Sequence, residues 1–190
     1  MSTSPSARRQ SGERPVRRAR HKRFARIQHV ALVMGALAAT PARADDLRPP
    51  SLAVLPIKLL DTSGEPTDQS AQHAERLARL GEHLAADLTR LGLARATLLP
   101  IDGPLRTCPS GDAACLLRVA RDEGAEWVFV GVVHKSSTLI LQLWARLVEV
   151  RTGRDILSRD LNFRGDTDEA WQRAERFLAE QIRDGLPPRR

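Results

Sequence analysis

Trp127-Val128-Phe129-Val130-Gly131-Val132-Val133 is an apolar run broken only by Gly131. Rich in β-branched residues, it reads as a strand buried on both faces. The glycine and the β-branching argue against a buried helix. Lys135-Ser136-Ser137-Thr138 supplies a polar turn. Leu139 to Val150 follows and alternates from Leu141 onward. Leu141, Leu143, Ala145 and Leu147 fall on one side; Gln142, Trp144, Arg146 and Val148 fall on the other. A period of two marks a strand with one fully apolar face. Arg151-Thr152-Gly153-Arg154 turns the chain into a third, more polar strand, Asp155 to Phe163. Two short turns between three strands make an antiparallel meander.

Working outward toward the N-terminus, Gly124 ends a helix of about Asp112 to Asp122, with Asp112 as its N-cap. Before it lie the Cys108–Cys115 loop and a short strand near Ala96–Ile101. Further back, Leu77, Leu80, Leu84, Leu88 and Leu91 recur at helical spacing in Ser70–Leu91, and Gly92 closes that helix. Leu52 to Leu60 reads as a strand; Pro56 inside it cannot donate to a ladder, which predicts an edge position or a bulge there. Toward the C-terminus, Asp166 with Glu169 three residues on predicts a capping box opening a third helix. Trp171, Ala174, Phe177, Leu178 and Ile182 form its expected apolar side. The order is β-α-β-α-β-β-β-α. The expectation is an α/β (α+β) single domain, a mixed sheet of about five strands with helices packed on it.

Charge gives the address. The formal net charge is +7 and the pI about 10.8, but ten of the 30 basic residues and only one acid fall within residues 1–44. The remainder is slightly acidic, at −2. The basic stretch ends at Arg26, an apolar core runs from Val30 to Ala39, and Ala42-Arg43-Ala44 offers small residues where a signal peptidase reads. We therefore expect a signal peptide over 1–44, cleaved after Ala44, and a secreted α/β domain over 45–190. The apolar core is shorter than the about 20 residues a bilayer span needs, so no stable membrane anchor is expected after cleavage. The twin arginines Arg8-Arg9 and Arg17-Arg18 lack the usual apolar context, and both the general secretory and twin-arginine routes stay open. The expected location is periplasmic.

Few residues carry chemistry. Cys108 and Cys115 are the only cysteines, and in an oxidising compartment they predict a structural disulfide. A redox-active pair would more typically show two intervening residues, and no histidine is near enough in sequence to suggest a metal. His83 and Asp87 lie four apart on the first helix, but the zinc-protease spacing is missing. No nucleophile elbow and no phosphate-cradling glycine loop appears, so no catalytic residue, metal or cofactor is assigned. Arg164-Gly165-Asp166 spells an adhesion tripeptide, yet three residues recur by chance. Six aromatic residues after position 44, none of them tyrosine, leave little for base stacking, and nucleic acid is not expected as a partner. The polar cluster Lys135, Ser136, Ser137, Arg164, Asp166 and Asp168 is the candidate binding region. Trp144 lies on the more polar strand face; the expectation is core burial, and without a covering helix it becomes an exposed aromatic for a partner.

Val133 through Leu141, Thr152-Gly153 and Asn162 through Trp171 resemble a group of secreted proteobacterial proteins known as domains of unknown function, the 2380 and 3280 types. Leu52–Ser63 and the Cys108/Cys115 loop share the likeness, which covers most of the chain after residue 44 and implies no activity. Ala170 stands where the family leads one to expect serine. The element order also resembles the N-terminal domain of the TolB translocation protein, the curli secretion component and the lipoprotein activators of penicillin-binding proteins. That likeness implies a docking module, although fold alone does not carry function. The expected function is a soluble periplasmic accessory or docking protein, not an enzyme, whose partner is a periplasmic or envelope protein. The alternative is a periplasmic small-ligand-binding protein serving transport or a periplasmic oxidoreductase.

Overall fold

The computed structural model describes residues 48–109 and 112–187. The expected signal peptide, with its cleavage point after Ala44, lies outside them. The elements in chain order are β1 (Ser51–Val54), β2 (Lys58–Asp61), α1 (Ser70–Arg90), β3 (Arg95–Leu98), a 3₁₀ turn (Pro104–Thr107), α2 (Ala113–Asp122), β4 (Trp127–Lys135), β5 (Ile140–Glu149), β6 (Asp155–Arg164) and α3 (Asp168–Gly185). The order matches the β-α-β-α-β-β-β-α expectation. The sheet runs β3-β1-β4-β5-β6, with β2 also against β4. β1 is parallel to both β3 and β4, whereas β4, β5 and β6 are antiparallel, so the sheet is mixed.

Pro56 accounts for the sixth strand. The single strand expected over Leu52–Leu60 splits into β1 and β2 around Leu55-Pro56-Ile57, and both halves run parallel to β4. Leu55 N–H still reaches Phe129 O at 3.0 Å. Leu55 directs its N–H to β4, so the nitrogen of Pro56 points to the side where β3 has ended and β2 has no strand neighbour, which is where a missing donor is tolerated. The break carries Ile57 over the middle of β4. A Cβ on Gly131 would lie 2.9 Å from Phe129 Cε1 and 3.2 Å from Ile57 Cγ1. That crowding explains a glycine inside an otherwise β-branched strand.

The sheet has two unequal sides. On the first, α1 and α3 cover Phe129 and Val133 of β4 and Leu141, Leu143, Ala145 and Leu147 of β5, with Leu84, Leu88, Trp171, Leu178 and Ile182 in the same core. The alternation expected in β5 is thus met. On the second side, α2 covers a smaller cluster of Ala53, Leu55, Val119, Ala120, Val128 and Val150. Gly92, at φ 68°, takes the left-handed turn after α1.

Two helix details differ from expectation. Thr167, not Asp166, caps α3: its side chain accepts from Ala170 N–H. Asp166 is drawn inward instead, as described below. Phe177 was expected on the buried side of α3 and is half-exposed, because the stripe runs through Ala170, Trp171, Ala174, Leu178 and Ile182. Asp112 does cap α2, accepting from Cys115 N–H.

Candidate functional site

Lys135 and Asp166, the ends of two separate stretches of the polar cluster, meet at 3.0 Å. Lys135 is not in the turn after β4 but its last residue, on the same face as Phe129 and Val133, and is 1% exposed. Its ammonium also donates to Glu65 Oε2 at 2.7 Å and Gln69 Oε1 at 2.9 Å. Asp166 Oδ2 receives Lys135 and His73 Nε2, the latter at 2.7 Å. Its Oδ1 accepts from Arg76 at 2.8 Å and from Trp171 Nε1 at 2.9 Å. Burial pushes the Asp166 carboxyl up, but hydrogen bonds from His73, Lys135 and Trp171 overrule it and hold the group at about 2. Burial likewise works against the Lys135 ammonium; Glu65 and Asp166 prevail and raise its pKa.

The chemical consequence follows from counting donors and acceptors. An ammonium has three N–H donors, and Lys135 has three partners within 3.0 Å. A carboxylate with two donors on each oxygen, held far below neutral pH, is a poor proton acceptor. This hub ties the β2–α1 loop, α1, β4 and α3 together and leaves neither group free to react. Asp168 sits outside it, bonded to Arg76 at 2.7 Å and Arg79 at 3.0 Å. Ser136 and Arg164 are exposed, and Arg164, in register with Ile140, falls on the opposite face of the sheet from the hub; the Ser137 hydroxyl accepts from the backbone N–H groups of Leu139 and Ile140. Among the described residues no group of three or more His, Cys, Asp or Glu could hold a metal ion.

Trp144 is on the opposite side of the sheet. It is 37% exposed, not buried as expected, because α2 reaches only part of that face. In register with Val132 on β4, it stands 5.3 Å from the His134 ring. Leu60 and Ile140, 44% and 50% exposed, share this face by strand parity. Beside them opens a groove of about 760 Å³. Val130, Val132 and Val148 form its floor, while Leu105, Leu116 and Leu117 form a wall. Lys58, Arg106 and Arg146 also line it. Arg146 is tied to Asp155 at 3.2 Å. The wall is held by the Cys108–Cys115 disulfide, whose Cα atoms are 5.5 Å apart. The sulfur bridge and the N-cap at Asp112 both act on the start of α2.

The groove itself left no mark on any one stretch of sequence, since its lining comes from four separate stretches. His73 and Glu175 were also missed, although each was visible in principle. Glu175 falls between Trp171 and Leu178 on the apolar stripe of α3, and His73 continues the leucine stripe of α1 by one turn.

Fold and faces together define a small α/β domain with two helices on one side of a mixed sheet and a single helix partly covering the other. The chain belongs to the family described as protein of unknown function (DUF2380), whose model, DUF3280, matches residues 50–182. No curated protein matches the sequence. Among solved structures it is similar to the PelC dodecamer from Paraburkholderia phytofirmans, at 16% identity and TM-score 0.48, over 75% of this chain and 91% of that one. The LpoB C-terminal domain from Salmonella enterica matches at 18% identity and TM-score 0.43, over 60% and 83%. TolB from Acinetobacter baumannii matches at 17% and 0.44, over 73% of this chain and 28% of that one. The TolB likeness expected from the element order is therefore found. At these identities and scores none of the three lends its role to this chain. No helix among the described residues is long and apolar enough to cross a membrane.

Proposed function

We propose that the chain is an exported accessory protein that docks on a periplasmic or envelope protein through the open sheet face and has no catalytic activity of its own. One observation carries this reading: Leu60, Ile140 and Trp144 stand exposed together beside the apolar groove of about 760 Å³. Large apolar side chains exposed on one face of a small domain, with an apolar groove on the same face, mark a contact surface. Covering it returns roughly 25 cal/mol per Å² of apolar area. Lys58 and Arg106 at the groove suit an apolar partner segment flanked by acids. The saturated Lys135–Asp166 hub supports the non-catalytic half of the reading. The disulfide and the basic leader support export, with a signal peptide over 1–44 and a periplasmic domain over 45–190.

The groove also favours a second reading, a periplasmic small-ligand-binding protein serving transport or an oxidoreductase. Its size falls within the about 300–1,000 Å³ of small-molecule sites. A ligand-dependent rise in melting temperature would mark that case. The docking reading is tested by capture from periplasmic extract with wild-type protein and Trp144→Asp. We expect a partner captured by the wild type and lost in the variant, at unchanged melting temperature. Capture that is equal in both proteins overturns it.

A further inference from the structure

β6 is the long open edge of the sheet. It pairs only with β5, and its ten residues contrast with the four each of β2 and β3. Gly165 N–H, just past β6, donates to Leu139 O, which stands opposite it in the β5–β6 register. Odd-numbered residues of β6 therefore turn their backbone groups toward β5, and Ser158, Asp160, Asn162 and Arg164 turn theirs outward. The Ser158 carbonyl is taken by Arg159 of the same strand at 2.8 Å. From Asp160 to Arg164 the edge has no such cover, no proline and no bulge. Asp160 and Arg164 are exposed on the open face, in register with Trp144 and Ile140, and neither has an ion-pair partner among the described residues. On the helical side, the half-exposed Phe177 of α3 stands at a hollow of about 160 Å³ that it lines together with Leu161, Asn162 and Phe163. Apolar surface thus reaches the edge itself.

We propose that β6 is a self-association site, where a second copy of this chain adds its own β6 antiparallel across a twofold axis at Asn162. In that register Asp160 faces the second copy's Arg164, and Arg164 faces its Asp160, so two opposite-charge pairs form on the open face. Leu161 falls opposite the second copy's Phe163 on the helical face, beside Phe177. Every side chain keeps its own face, because facing residues share parity. The outward N–H and C=O groups of Asp160, Asn162 and Arg164 are those that such a ladder uses. Centring the axis on Asp160 or on Arg164 instead sets like charges across from each other, which is unfavourable. The charges therefore make the edge self-complementary, as a twofold contact requires, where an edge of one sign would repel its copy. The joined sheet presents both open faces on the same side and so offers two docking surfaces together. The contact lies at the edge and not on the docking face, so either can fail without the other.

The test is sedimentation equilibrium of the exported chain at concentrations up to about 1 mM, a range that reveals even weak pairing. The wild type should form a dimer. Asp160→Arg and Arg164→Asp should each weaken it about tenfold or more, since each replaces two attractive pairs with two repulsive ones. The double variant reverses the pairs without removing them and should return to within about threefold of wild type. Trp144→Asp should dimerise like the wild type, which separates this edge from the docking face. All these side chains are exposed in the single chain, so each variant keeps its fold. A single-chain mass throughout, a dimer indifferent to both single reversals, a double variant that fails to re-form it, or a dimer lost in Trp144→Asp would each overturn the proposal.

Discussion

Asp166 accepts from His73 and Arg76 of α1, Lys135 of β4 and Trp171 of α3, so removing its carboxylate strands four buried donors at once. Asp166→Ala should cost about 3–5 kcal/mol in a denaturant titration, the range for breaking a buried pair by deleting one partner. A loss below about 1 kcal/mol would mean that the hub is solvated in practice. Its pH dependence has a definite sign. The folded pKa is held at about 2, below the ordinary 3.8, so the stabilisation is full above about 4 and disappears as pH falls toward 2. Glu175 works the other way. Its folded pKa of about 7 exceeds the ordinary 4.5, so the folded state keeps a proton that the unfolded state releases. Stability is therefore highest below about 4.5 and declines as pH rises through 7. Denaturant midpoints between pH 5 and 8 should fall for the wild type and stay flatter in Glu175→Gln; parallel curves would remove Glu175 from the account. At this scale the sequence was half legible. Lys135 and Asp166 stood out as polar residues at the ends of two separate stretches, one after β4 and one after β6. Their inward orientation was hidden, because it depends on His73, Arg76 and Glu65 arriving from 60 or more positions away.

At the scale of elements, periodicity was a good guide where a single face is buried. β5 and α1 alternate or repeat in a way that only one packing satisfies, and both formed close to their expected bounds. It misled where a local rule met a tertiary demand. The acid preceding α3 looked like a cap, but Thr167 does that work and frees Asp166 for the hub. Pro56 split one expected strand into two, and the break sets Ile57 against Gly131. Gly131→Ala should accordingly destabilise by about 1–3 kcal/mol, the usual cost of overpacking, because the ring of Phe129 is buried and cannot step aside. A neutral result in thermal melts would show that β1 and β2 can shift away from β4. Replacing both cysteines with serine should cost about 2.5 kcal/mol on loop-closure grounds. It should also weaken partner capture more than Trp144-remote changes do, since Cys108 lies in the groove wall.

The whole molecule is asymmetric about its sheet: two helices and a buried ion hub on one side, one helix and an open apolar strip on the other. That asymmetry is what links fold to function. A side sealed by α1 and α3 supplies stability, so the other can leave Leu60, Ile140 and Trp144 uncovered without unfolding. The most direct test puts a photo-crosslinking residue in the exported chain at position 144 and, separately, at Arg173 on α3, on the helical side of the sheet. Irradiation in intact cells should join position 144 to a discrete envelope protein and leave position 173 unlinked to that protein. Identical adducts from both positions, or none from 144, would contradict the account.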